Sequence, residues 1–267
     1  VERITSLQNP KIKNVIKLQK ASERREQKLF LVEGLKEINL AVEGGFKLNS
    51  LFWNPDLGVK QSKIEKILNL KNSVFKISAD IFDKIAYREG SDGVVGVFEQ
   101  KMFHLDDLVL PENPLVIILE TIEKPGNLGA IMRTAEAASV NAVLVCDQKI
   151  DIFNPNVIRS SIGCLFTKKV IVCSNDEALK WIIKNKITIY AALLSSGSKP
   201  FYNFDYTKPT AFIMGSEAEG LSDFWIKNSD EKIIIPMMGK SDSLNVSVSA
   251  AILAYEAVRQ RSFTLKI

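Results

Sequence analysis

The chain is poor in the residues from which metal centres and disulfides are built. It has one histidine, His104, and three cysteines, Cys146, Cys164 and Cys173. The cysteines are odd in number, lie in apolar stretches and form no C-x-x-C pair. They are expected as buried thiols of a reducing compartment, not as a disulfide or zinc set. No His/Cys/Asp cluster has ligand spacing, so no metal is expected. His104 stands in a segment without an acid–nucleophile constellation, which leaves it a structural or surface role. Long apolar runs are also lacking. None approaches the roughly 18–20 residues of a membrane span, and Val1-Glu2-Arg3-Ile4 carries no apolar signal core. A cytoplasmic protein without membrane contact is the expectation. Repeats and low-complexity tracts are missing as well.

What is present is a globular composition, 46% hydrophobic and 25% charged over 267 residues, long enough for one large domain or two ordinary ones. The net charge of +4 is spread unevenly. Arg3, Lys11, Lys13, Lys17, Lys20, Arg24, Arg25 and Lys28 face only Glu2, Glu23 and Glu26 in the first 28 residues. A basic face of that density suits a polyanion, although a solvated helix face would read the same way.

Two α/β halves follow. In the first, Asn9-Pro10 opens a helix with Ile12, Val15, Ile16 and Leu18 on one stripe. Strands are expected at 29–32, 48–53, 74–77 and 93–98, and helices from Gly34 to about 43, at 61–69 and at 79–87. Residues 99–113 lose periodicity around Pro111 and read as a linker. The second half alternates strands (115–120, 142–146, 169–173, 187–193, 210–214, 232–235) with helices (128–139, 154–163, 175–185, 222–228, 245–261). That order predicts a mostly parallel sheet with helices on both faces. The helix over 245–261 carries a stripe of Leu244, Val248, Ala251, Tyr255 and Val258, expected to face a core or a second subunit. Phe201, Tyr202, Phe204 and Tyr206 cluster before the 210–214 strand and fit loop packing better than base stacking.

Three stretches can carry chemistry. The 115–120 strand runs into Glu120-Thr121-Ile122-Glu123-Lys124-Pro125-Gly126-Asn127, then a helix in which Arg133 lies about two turns on. Such a turn can hold an anion on backbone N–H groups. Asn127 suits an N-cap there, and Arg133 could reach back toward the mouth. The dinucleotide G-x-G-x-x-G spacing is absent, as is a Walker A lysine, which disfavours a nucleotide-dependent oxidoreductase. Further on, Gly215-Ser216-Glu217-Ala218-Glu219-Gly220-Leu221 and Ile235-Pro236-Met237, with Ser243-Leu244-Asn245-Val246-Ser247-Val248, form two Gly-bearing turns fed by apolar runs. They suggest a ligand cradle built from backbone. Glu217 could instead cap the following helix.

Together these segments resemble the SpoU (TrmH-type) family of RNA ribose 2′-O-methyltransferases in the SPOUT superfamily. Its first motif appears as Asn127-Leu128-Gly129-Ala130-Ile131-Met132-Arg133, and the second and third as the stretches at 215–221 and 235–248. The N-terminal Ile4-to-Lys13 and Phe30-Leu31-Val32-Glu33-Gly34 stretches are similar to the small RNA-binding domain many members carry. One departure stands out: Lys124-Pro125 occupies the place of the family's usual Asp-Pro, which leaves the RNA target open.

The resemblance implies an α/β fold with a mostly parallel sheet and a C-terminal trefoil knot, over 114–267. A smaller α/β RNA-binding domain over 1–98 and the 99–113 linker precede it. It implies S-adenosylmethionine as cofactor, with its adenosine held by Gly215, Ile235 and Leu244, Met237 nearby, and Leu194 on the same wall. Asn127, Arg133, Glu217, Ser243 and Asn245 become the catalytic set. Because an arginine ordinarily titrates above about 12, Arg133 suits clamping a phosphate and stabilising a developing alkoxide better than abstracting a proton. Glu217 would orient Arg133 or the cofactor. The implied partner is RNA, ribosomal first and transfer RNA second, with a homodimer formed through the catalytic domain. A non-catalytic RNA-binding protein that retains the fold is the rival reading.

Overall fold

A computed structural model describes residues 2–67, 73–87 and 91–261. In chain order the first part holds β1 (Glu2–Ile4), α1 (Pro10–Lys17), α2 (Ala21–Gln27), β2 (Leu29–Glu33), α3 (Leu35–Glu43) and β3 (Leu48–Trp53). It continues with α4 (Gln61–Ile67), β4 (Ser73–Ile77), α5 (Ala79–Ile85) and β5 (Val94–Glu99). The second part begins with β6 (Leu115–Glu120), α6 (Pro125–Ala137), β7 (Ala142–Cys146), α7 (Pro155–Ser160), β8 (Val170–Cys173) and α8 (Asn175–Lys184). Then come β9 (Thr188–Ala192), β10 (Lys199–Pro200), β11 (Thr210–Met214), α9 (Asp223–Asn228), β12 (Glu231–Ile234) and α10 (Val246–Gln260). The short strands β1 and β10 and the helix α2 were not expected from periodicity. The expected helix at 61–69 runs partly outside the described residues.

The chain divides into two compact units. One comprises residues up to Lys101 together with Asp151–Thr167. Its five-stranded mixed sheet has the order β1-β4-β3-β5-β2, in which β5 runs antiparallel to both β3 and β2. Asp151–Thr167 joins this unit through two kinds of contact. The Phe30 ring stacks on Phe153 at 4.5 Å. Arg24, only 1% exposed, bonds Asp151 Oδ2 through Nε at 2.7 Å and donates to the carbonyls of Leu18 and Gln19 at 2.9 and 2.8 Å. Arg24 is therefore a structural cation inside the unit and not part of the exposed basic face. Lys13, Lys17, Lys20, Arg25 and Lys28 do stand exposed.

The other unit spans Met102–Ile150 and continues from Lys168. Its seven strands lie in the order β10-β12-β9-β11-β6-β7-β8, every neighbouring pair parallel. β6, β7 and β11 are buried along their whole length, as a parallel sheet covered on both faces demands. Trp181 and Ile182 of α8 and Trp225 of α9 close one core against Val116, Leu144 and Ile213. Phe103, Leu105, Leu108 and Leu110 pack on that core too, so the aperiodic stretch before β6 is seated, not free. His104 is exposed, and its backbone N–H donates to Asp107 Oδ2 at 2.8 Å at the start of a short 3-10 turn.

Two expectations are met only in part. The core face of α10 is Val246, Ala250, Leu253, Ala254 and Ala257, whereas Val248 and Tyr255 on the expected stripe are 45% and 50% exposed. Of the thiols only Cys146 is buried; Cys164 and Cys173 are partly exposed. Cys146 and Cys173 sit opposite each other on β7 and β8 with Sγ atoms 4.0 Å apart. Its contact with Cys173, and burial after it, push the Cys146 thiol above its ordinary range. The aromatic cluster packs as a loop: Tyr206 is buried, donates its hydroxyl to the Phe201 carbonyl at 2.6 Å, and meets Tyr190 edge-on at 4.8 Å.

Candidate active site

The loop after β11 is shaped by glycine. A Cβ at Gly215 would lie 2.0 Å from the Gly220 carbonyl oxygen, so no other residue fits that backbone without a shift. The Ser216 N–H donates to Gly220 O at 3.1 Å, and the Gly220 N–H returns the bond at 3.0 Å. Gly220 closes the loop at φ +70°, a conformation glycine adopts without penalty. Ser216 Oγ accepts the Glu219 N–H at 3.0 Å.

The far foot of this loop is tied to the end of β6 by a carboxylate that the motif reading passed over. Glu120 is 3% exposed and accepts the Ser222 N–H at 2.8 Å, the Ser222 hydroxyl at 2.5 Å and Asn175 Nδ2 at 3.1 Å. Asn175 in turn accepts from Trp225 Nε1 at 2.6 Å. A buried acid supplied with three donors is stabilised as an acceptor and holds the loop to the sheet. The only trace of it in sequence is a carboxylate ending the apolar run Leu-Val-Ile-Ile-Leu-Glu. Immediately after it, Thr121 adopts φ +51°, a strained backbone for a β-branched residue at a strand end.

The third motif is positioned by the start of α10. Asn245 is the N-cap: its Oδ1 accepts the Ser247 N–H at 2.9 Å and the Ser247 hydroxyl at 2.7 Å. Its Nδ2 donates across 118 residues of sequence to Asn127 Oδ1 at 3.2 Å. Asn127 itself is not a cap. α6 begins at Pro125 with Lys124 as N-cap, so Asn127 lies inside the first turn and its side chain is released from capping. Proline at the first helical position explains the earlier start, because it has no N–H to satisfy and a preset φ. Asn127 Nδ2 is buried and has no hydrogen-bond partner among the described residues.

The first and second motifs meet through charge. Lys124 Nζ pairs with Glu217 Oε2. Glu217 therefore neither caps the following helix nor contacts Arg133, as the sequence had allowed. Arg133 lies on the exposed face of α6 and makes no hydrogen bond or ion pair among the described residues. It does not line the cleft described next.

That cleft opens beyond the C-terminal ends of β9, β11 and β12, where parallel sheets place ligands. Its volume is about 710 Å³, within the range of small-molecule sites. Leu194, Gly215, Ile235, Met237 and Leu244 all line it, Leu194 with 73% of its surface exposed. Glu217, Ser243 and Asn245 stand on its wall, and Asn127 adjoins it through Asn245. Glu219 and Asp242, not singled out from sequence, add two more carboxylates. Fold and site thus define an α/β protein with an all-parallel sheet and a mixed apolar and acidic ligand cleft.

Comparison with known proteins narrows that class. The sequence model of the SpoU rRNA Methylase family matches residues 114–255, and that of the MRM3-like substrate binding domain matches residues 9–96. The chain belongs to the SpoU rRNA methylase family. It is 30% identical over 238 residues to a 23S rRNA (uridine(2479)-2′-O)-methyltransferase of Streptomyces viridochromogenes, covering 87% of this chain and 83% of that one. It is 27% identical to the 23S rRNA (guanosine(2553)-2′-O)-methyltransferase RlmP of Bacillus subtilis, covering 96% and 98%. Its fold matches the AdoMet-bound rRNA methyltransferase from Sinorhizobium meliloti with a TM-score of 0.89 at 28% identity, over 97% of both chains.

Proposed function

We propose that this protein transfers a methyl group from S-adenosylmethionine to a ribose 2′-hydroxyl of ribosomal RNA. The observation that carries the reading is the meeting of three distant motifs at one cleft, through the Asn127–Asn245 hydrogen bond and the Lys124–Glu217 ion pair. The residues present fit the cofactor. Gly215 leaves a cradle that a Cβ would fill, Leu193, Ile233 and Leu221 offer an apolar wall for an adenine, and Glu219 and Asp242 suit a cationic ligand. Gly215, Ile235 and Leu244 would hold the adenosine, with Met237 and Leu194 beside it. Bound there, the cofactor supplies an activated methyl on a sulfonium. Asn127, Ser243 and Asn245 orient the ribose hydroxyl, and Arg133 clamps the adjacent phosphate and stabilises negative charge developing on the oxygen.

In this reading the C-terminal segment threads a preceding loop as a trefoil knot, which would let the 215–221 and 235–245 loops share one cleft. The N-terminal unit docks RNA through Lys13, Lys17, Lys20, Arg25 and Lys28, chiefly by phosphate contacts. The exposed Val248 and Tyr255 stripe of α10 forms the contact of a homodimer. The test is transfer of labelled methyl from S-adenosylmethionine to unmodified ribosomal RNA, with the product mapped for 2′-O-methylation. Arg133→Ala should lower turnover at least about 100-fold and leave cofactor binding by calorimetry within about twofold. Unchanged turnover in that variant sinks the assignment of Arg133, and methylation of transfer RNA alone moves the substrate.

A further inference from the structure

Lys124 is badly suited to the structural task its position offers. It is the N-cap of a 13-residue helix, yet its side chain makes no capping bond. A cation at a helix N-terminus also opposes the macrodipole, where an acid or a serine would stabilise it. What Lys124 does contact is the acidic rim of the cleft: its ammonium sits on Glu217, one of three carboxylates there with Glu219 and Asp242. Lys149 pairs with Glu123, the residue before Lys124, at 3.0 Å. That bond, and the nearby Glu219 charge after it, hold the Lys149 ammonium above its ordinary value. A rim lined by carboxylates repels the polyanion that must bring its ribose to it. Lys124 is 69% exposed, so the ammonium has N–H donors to spare beyond Glu217.

We propose that Lys124 is an RNA-positioning contact, which neutralises Glu217 and offers its remaining donors to a phosphate oxygen beside the target nucleotide. The proposal rests on the RNA-methyltransferase reading above.

Lys124→Ser separates this role from a structural one, because serine caps helices better than lysine and removes the cation. The expected results for Lys124→Ser are an undiminished melting temperature and cofactor affinity by calorimetry within about twofold of the parent. Its affinity for an unmodified 23S ribosomal RNA transcript, by filter binding, should be about tenfold weaker. The slope of log affinity against log salt should become shallower by about 0.7–0.9, the loss of one phosphate contact. Lys124→Arg should restore both RNA readouts. RNA affinity and salt slope unchanged in Lys124→Ser would overturn the proposal, as would a loss confined to the cofactor. The binding arms need no turnover. An inactive parent protein that still binds RNA would therefore defeat the methyltransferase reading while leaving this measurement decisive.

Discussion

Asn245 shows how one side chain serves structure and site together. Its carbonyl caps α10, and its amide reaches Asn127 from the first motif. The sequence named both residues, but it placed a capping role on Asn127, because asparagine is a favoured N-cap residue and the helical pattern begins at 128. Pro125 overrode that by opening the helix earlier. Gly215 is the residue whose identity the backbone dictates most strictly. Gly215→Ala should destabilise the unit by about 1–3 kcal/mol in urea unfolding, the cost of overpacking. Displacing the 216–220 loop should also weaken S-adenosylmethionine binding at least about tenfold by calorimetry. An alanine variant with parental stability and affinity would show that the loop does not need its close approach to Gly220.

At the scale of elements, the strands of the parallel sheet were legible because each is a short apolar run bounded by turn residues. β6, β7 and β11 have the expected bounds. α10 was legible as a helix but not in its orientation. It carries two apolar stripes, and the small one (Ala250, Ala254, Ala257 with Leu253) is the one packed inward. Small residues let helices and strands approach closely, and periodicity does not rank one apolar stripe over another. The stretch Asp151–Thr167 was equally opaque. Its attachment to the first unit depends on Arg24, one of eight cations in a basic run, finding Asp151 far along the chain. Arg24→Ala should cost about 3–5 kcal/mol, since it strands a partly buried carboxylate and two carbonyl acceptors. A chemical-denaturation midpoint equal to the parent's would show that the pair does not hold this segment.

For the whole molecule, the described residues contain no helix long and apolar enough to cross a membrane. Val248 and Tyr255 stand exposed on α10, on the stripe proposed above as a homodimer contact. If a homodimer covers it, the parent protein sediments as a dimer, and Val248→Asp combined with Tyr255→Asp sediments as a monomer at micromolar concentration. The charges would be buried unpaired at the contact. A parent that is monomeric at every concentration removes the dimer from the reading.

The sequence by itself determined the α/β class, the alternation of the main strands and helices of the parallel sheet, and the three motifs. Each of these is written in local patterns of apolar spacing, glycine and side-chain type. Only the tertiary structure decided that Lys124 neutralises Glu217, that Glu120 anchors the glycine loop, that Arg24 is buried and Arg133 exposed, and which stripe of α10 faces inward. Those outcomes rest on contacts between residues distant in the chain, where burial and charge compensation, not local propensity, set which partner each group finds.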